Sequence, residues 1–199
     1  MTRKLVVAIT GASGAIYARA LVDALTALPA PERPELACVV SSTAPEVWSH
    51  ELGANVREWL ENKHIRCFEG RDYSAPFASG SARWDAMVVV PCSMSTLAKI
   101  AHGLSDDLLS RAADVMLKER RKLVLVARET PLSRVHLQNM LAVTDAGALV
   151  LPATPSFYGR PDTVEAVVES VVARVLDQLG FATQRGPRWG EPTSVRGTT

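Results

Sequence analysis

The sequence predicts a single α/β domain: a doubly wound parallel sheet, three layers deep, with helices on both faces. Three observations carry that expectation. Short apolar runs alternate with helical patterns along the chain. The runs are almost continuously apolar rather than alternating with polar residues, as strands covered on both faces are. And 199 residues suffice for one ordinary domain but leave little for a second core.

Lys4–Thr10 is the first strand. Its basic start resembles the opening of a secretory signal, but Thr10-Gly11-Ala12-Ser13-Gly14 ends the apolar run too soon, and a buried strand is the better reading. A helix opens near Gly14, sets Tyr17, Leu21, Ala24 and Leu28 on one face and stops at Pro29. Glu35–Ser41 is the second strand, followed by a helix that ends near Glu51. Ala86–Pro91 is the third, and the helix Met94–His102 after it is closed by Gly103. The helix Leu108–Glu119 leads into the strand Lys122–Ala127, and Ser133–Ala146, closed by Gly147, leads into Ala148–Leu151. The last helix is expected to open on a capping box of Asp162 and Glu165, to turn Val164, Val168, Val171 and Val175 inward, and to end at Gly180. From Gln184 the chain is polar and rich in Pro and Gly, apart from Trp189. Repeated strand–helix alternation implies parallel pairing in a Rossmann-like order.

Composition narrows the function. Lys and Arg number 22 against 21 Asp and Glu, so no global field recruits nucleic acid or an anionic membrane. The 47% apolar content and mean hydropathy of +0.08 exclude a disordered chain and point to burial beyond a monomer's core. The longest uncharged stretches, Ala86–Ala98 and Ala146–Gly159, fall short of the roughly 20 apolar residues of a membrane helix. Three cysteines are too few for a disulfide framework, which favours a reduced, cytoplasmic setting. The four histidines form no HxxxH or HxH pair and the cysteines no CxxC, so no metal site is expected.

In open parallel sheets ligands bind at the carboxyl ends of the strands. The informative residues stand there. Gly11, Ala12 and Ser13 follow the first strand, Ser41-Ser42-Thr43 the second, and Ser93-Met94-Ser95-Thr96 the third. Ser and Thr are favoured helix caps, so any one of these turns is explained by capping. Three in succession point to an anionic, phosphate-bearing ligand held at helix N-termini. The first turn resembles that of a short-chain dehydrogenase, but the required Tyr-x-x-x-Lys is missing: Leu21, Phe77 and Asp162 follow Tyr17, Tyr73 and Tyr158. A P-loop fails too, since no Gly-Lys-Ser/Thr follows the turn. Of the charged residues, Lys118-Glu119-Arg120-Arg121-Lys122 ends a helix, where cations complement the dipole. Arg128-Glu129 lies at the ligand edge, directly after a buried strand. Tyr158 belongs to a loop, and Arg174 sits among valines, where burial would demand an anionic partner.

Taken in order, Gly11-Ala12-Ser13-Gly14-Ala15-Ile16-Tyr17, Ala78-Ser79-Gly80-Ser81, Pro91-Cys92-Ser93, Arg111-Ala112-Ala113-Asp114-Val115, Leu117-Lys118-Glu119-Arg120-Arg121 and Arg128-Glu129-Thr130-Pro131 closely resemble the UbiX-type flavin prenyltransferases. Phe157-Tyr158 and Pro187-Arg188-Trp189 extend the match, which runs from about Lys4 to Gly190. Ala18 and Asp107 depart from the family's usual glycine and asparagine. The resemblance implies a three-layer α/β/α flavoprotein domain over residues 1–190 with a polar tail over 191–199. It implies transfer of a dimethylallyl group from dimethylallyl monophosphate to N5 and then C6 of reduced FMN, without metal, in a homododecamer. The product would serve a UbiD-type decarboxylase. By motif, Gly11, Ala12, Ser13, Ser41, Ser93, Met94, Ser95, Thr96 and Arg128 would hold FMN. Lys118, Glu129, Tyr158 and Arg174 would meet the prenyl phosphate, some from neighbouring subunits, and Glu51, Lys118 and Glu129 would take part in catalysis. A non-enzymatic FMN carrier, an accessory subunit of an aromatic-acid decarboxylase, is the alternative that the same FMN motifs allow.

Overall fold

In the computed structural model the structure describes residues 2–181, 185 and 186. The terminal motif at 187–189 and the tail over 191–199 lie outside them. The strands are β1 (Lys4–Ile9), β2 (Glu35–Val40), β3 (Arg66–Phe68), β4 (Ala86–Cys92), β5 (Lys122–Ala127) and β6 (Leu149–Pro152). They form one sheet in the order β3-β2-β1-β4-β5-β6, every pair parallel. The helices are α1 (Ala15–Thr26), α2 (Ala44–Leu52), α3 (Val56–Asn62), α4 (Met94–Ala101), α5 (Leu108–Lys118), α6 (Arg134–Asp145) and α7 (Val164–Leu179).

Successive residues of a strand face opposite sides, so a strand buried on both must be apolar throughout. β1 meets that condition. Leu5, Val7 and Ile9 pack with α1, α2, α3 and α7 on one face, and Val6 and Ala8 pack with α4 and α5 on the other. The three-layer expectation is met, and the predicted strands agree with the observed ones to within a residue at each end.

Three differences have physical causes. β3 is new: three residues, paired only with β2, that begin with Arg66 and are followed by Glu69, so it carries no apolar run to read. The cap of α7 is Thr163, whose side chain accepts from the Ala166 N–H at 3.1 Å, and not Asp162. Asp and Thr are both favoured caps, and the sequence places them side by side. Val164, the first residue of α7, is exposed rather than turned inward; Val168, Val171 and Val175 are buried as expected. α5 is capped by Asp107 through the Ser110 N–H, which explains why asparagine can be replaced there.

Candidate active site at the strand-order switch

β1 and β4 are neighbours, yet α1 leaves to one face of the sheet and α4 to the other. The crevice between their carboxyl ends is therefore the topological switch point, where ligands of such sheets bind. A residue that sequence reading passed over builds it. Thr10, 2% exposed, donates through Oγ1 to the Pro91 carbonyl at 2.6 Å and accepts the Ser93 N–H at 3.0 Å. One hydroxyl thus sews the two loops together. The signal was present, a polar residue ending a buried strand, but nothing in the sequence names its partner 81 residues away.

Beside this joint, the loop after β2 closes on the loop after β1. A β-carbon added at Gly11 would lie 2.7 Å from Thr43 Cβ, so only glycine admits the approach. Ser41 lies within 3.4 Å of the Thr43 hydroxyl.

The two helix starts differ in kind. At α4, Ser93 caps the Thr96 N–H and lies 3.1 Å from the Ser95 hydroxyl and 3.0 Å from that of Thr96. The first-turn N–H groups of Met94 and Ser95 have no acceptor within the helix, so hydroxyls and amides converge on positive potential. That donor set suits a phosphate. At α1 an internal carboxylate already occupies the equivalent place. Glu51, delivered by α2, accepts the Gly14 N–H at 3.0 Å and the Ala15 N–H at 2.8 Å. Desolvation pushes its pKa up, but bonds from the Ser13 hydroxyl and these two amides, with the Arg128 charge, outweigh it and leave the group lowered. Glu51 is therefore a carboxylate at neutral pH. Of the three hydroxyl-bearing turns expected to greet a phosphate, the α1 start is filled from within, while those before α2 and α4 are not, and at α4 the hydroxyls cluster most closely.

Arg128 completes this group. It follows β5, its N–H donates to the Cys92 carbonyl at 3.2 Å, and its charge acts on both Glu51 and Tyr17. Burial raises the Tyr17 pKa, with Arg128 opposing, so the phenol stays protonated.

The remaining candidates do not all join this cluster. Glu129 is exposed at the same sheet edge, its carboxylate accepting the Thr130 N–H at 2.9 Å. Tyr158 is 51% exposed in the loop after β6 rather than turned inward. Arg174 is not a buried cation among valines: its side chain is 60% exposed and pairs with Asp177 at 2.9 Å. It lies with Leu149, Val150 and Leu151 of β6 and Val171 along an open cavity of about 490 Å³. Helical periodicity places Arg174 next to buried valines but on the adjoining, outward face. Lys118 ends α5, at the end of the sheet where β5 begins, opposite the crevice. One chain thus supplies the crevice, while Arg174 lines the cavity beside β6 and Lys118 stands at the opposite end of the sheet. Among the described residues no group of three His, Cys, Asp or Glu stands together as a metal site would need, and no helix is long and apolar enough to cross a membrane.

A parallel sheet with a phosphate-ready helix start at its switch point, and beside it an ionised carboxylate within reach of an arginine's charge, suits a nucleotide-binding α/β flavoprotein, and the Flavoprotein family model matches residues 1–176. The chain belongs to that family and, within it, to the UbiX-type flavin prenyltransferases. It is 43% identical over 189 residues to a flavin prenyltransferase UbiX of Methanocaldococcus jannaschii, covering 94% of this chain and 98% of that protein. The crystal structure of AnUbiX (PadA1) with FMN and dimethylallyl pyrophosphate superposes with a TM-score of 0.90 at 44% identity, over 96% of this chain and 99% of the other. A dodecameric FMN-dependent UbiX-like decarboxylase of Escherichia coli O157:H7 gives 0.89 at 45% identity, over 94% and 100%.

Proposed function

We propose that this protein is a flavin prenyltransferase, which transfers a dimethylallyl group from dimethylallyl monophosphate to N5 and C6 of reduced FMN. The observation that carries the reading is the pairing at one crevice of a phosphate-binding helix start with an ionised carboxylate beside an arginine, in a chain so similar to such enzymes. The residues fit the flavin. Ser93, Ser95, Thr96 and the first-turn amides of α4 would hold its phosphate. Gly11, Ala12, Ser13, Ser41 and Arg128 would line the rest, and the reduced isoalloxazine supplies the electron-rich acceptor atoms.

The protein's own part is electrostatic. As the allylic C–O bond breaks, negative charge collects on the departing phosphate, and fixed cations lower the barrier. Lys118, Arg174 and the Tyr158 phenol are the donors in this reading, with Glu129 beside them; metal is not needed, because arginine and lysine carry the counter-charge. Glu51 accepts a proton when the new ring closes, since its bonds to Gly14 and Ala15 keep it ionised. Its place at the α1 terminus also fixes the carboxylate in one orientation.

Because Lys118 stands at the end of the sheet opposite the crevice, this reading assembles the complete site from several subunits, which the dodecamer that the resemblance implies would supply. The exposed apolar side chains of α6, Val135, Leu137 and Leu141, offer a surface for such contacts. A cytoplasmic location and delivery of the product to a UbiD-type decarboxylase belong to the proposal as well.

The deciding experiment incubates the protein anaerobically with reduced FMN and dimethylallyl monophosphate and weighs the flavin by mass spectrometry. A prenylated flavin, formed equally well with EDTA present, is the expected result. An unaltered flavin that is nonetheless tightly bound would favour the carrier or accessory subunit.

A further inference from the structure

We propose that Glu119 is a positioning residue, which together with Arg121 and Gly80 holds the Lys118 ammonium in place for the prenyl phosphate; this rests on the reading that Lys118 meets that phosphate. Neighbouring residues in a helix do not face each other. Lys118 and Glu119 meet only because α5 ends between them: Glu119 is the C-cap, and Arg120 turns the chain back with a φ of 53°. Lys118 Nζ then lies 2.6 Å from Glu119 Oε1.

The carboxylate is itself anchored. Arg121 approaches its other oxygen at 3.8 Å while donating to the Gly80 carbonyl at 2.7 Å and the Ala82 carbonyl at 2.8 Å. The turn around Gly80 thus serves as the fixed base of a relay from Arg121 through Glu119 to Lys118. The pair also packs closely against that turn. A β-carbon on residue 80 would stand 2.8 Å from Lys118 Nζ and closer still to the Glu119 carboxylate. The Lys118 bond and charge, with Arg121 behind them, hold the Glu119 carboxyl below its ordinary value, so it stays ionised.

The arrangement answers a specific difficulty. Lysine is a point charge on a flexible four-carbon stem, and a transferring phosphate needs it at one place. A lone carboxylate beside it would repel the phosphate. With Arg121 included, the trio carries one net positive charge, so Lys118 is held without losing the attraction.

The test is a mutant cycle read with reduced FMN and dimethylallyl monophosphate. Glu119→Gln should raise KM for the monophosphate roughly two- to tenfold, the range of a weakened ion-paired hydrogen bond, with FMN affinity and assembly unchanged. Gly80→Ala should shift KM in the same direction. In a Lys118→Ala background Glu119→Gln should add nothing, because its effect passes through the lysine. Wild-type kinetics for Glu119→Gln beside a crippled Lys118→Ala would overturn the positioning role while leaving the functional reading intact. Wild-type kinetics for Lys118→Ala would remove the lysine from the reading itself. A Glu119→Gln effect that persists undiminished without Lys118, or that comes with loss of FMN or assembly, would show the carboxylate to be structural.

Discussion

Glu51 and Thr10 show how single side chains set the crevice. Glu51 has a folded pKa below the 4.5 of a free glutamate, so its contribution to stability is fully present above that value and is lost as pH falls through it towards the folded pKa. Urea midpoints measured from pH 7 to 3 should therefore fall less steeply for Glu51→Gln than for the parent, from a lower value at neutral pH. The same substitution, and Glu129→Gln, should slow prenylated-flavin formation more than they weaken FMN, whose phosphate gains little from a carboxylate. A wild-type rate from either would remove that residue from the mechanism. Thr10→Val keeps the shape but leaves the Pro91 carbonyl and Ser93 N–H without their partner. A loss of about 1–3 kcal/mol in stability is expected, with weaker FMN retention, checked by denaturant titration of the apo and loaded forms.

Among the elements, α4 is the one whose terminus the proposal gives to the flavin phosphate. Ser93→Ala removes both the cap and a donor, so about 1 kcal/mol of stability should be lost and the Kd for FMN, read by fluorescence quenching, should rise about tenfold. If FMN affinity is unchanged, the flavin phosphate is held elsewhere. Strands and helices of this kind are legible in a sequence because double-sided burial writes continuous Val and Leu runs, and caps mark where helices start. Gly11 and the residues from Ser93 to Thr96 were legible for the same reason. β3 was not, since three residues between charges carry no period. The surroundings of Arg174 were not either: periodicity ranks the faces of α7 but does not tell a core-facing residue from one just beyond the core's rim. The filling of the α1 terminus by Glu51 depends on how α2 crosses the sheet end, which no local pattern encodes.

For the whole molecule, if Lys118 meets the prenyl phosphate as proposed, its separation from the crevice makes assembly part of catalysis. Light scattering should report a large homo-oligomer, and a fully active 21.5 kDa monomer would refute the shared site. Tyr158→Phe should lower kcat/KM for the monophosphate about 10- to 150-fold, the value of a hydrogen bond to a charged group, while FMN affinity stays within a few-fold. Arg174→Ala should do as much. Its pairing with Asp177 at an exposed site contributes little to the fold, so the variant should remain folded. Coassembly of Lys118→Ala with Arg174→Ala subunits should restore part of the activity that each lacks alone, if the two residues reach a shared site from different subunits. Equal inactivity of the mixture would place both on the same chain's site.

The Thr10 joint also has a meaning in time. Strands β1 and β2 are connected through α1, and β4 and β5 through α4 and α5, so each pair can form from nearby parts of the chain. The bond between Thr10 and Pro91 spans 81 residues, and closing a long loop costs entropy that local pairing does not. The crevice is thus the seam between two halves of the sheet, and by this entropy argument it is expected to be fastened after them. A ligand that bound only the fastened state would, at a hundred times its Kd, favour it by about 2.7 kcal/mol. A flavin nucleotide lodged in the crevice would then act as a pin for that joint.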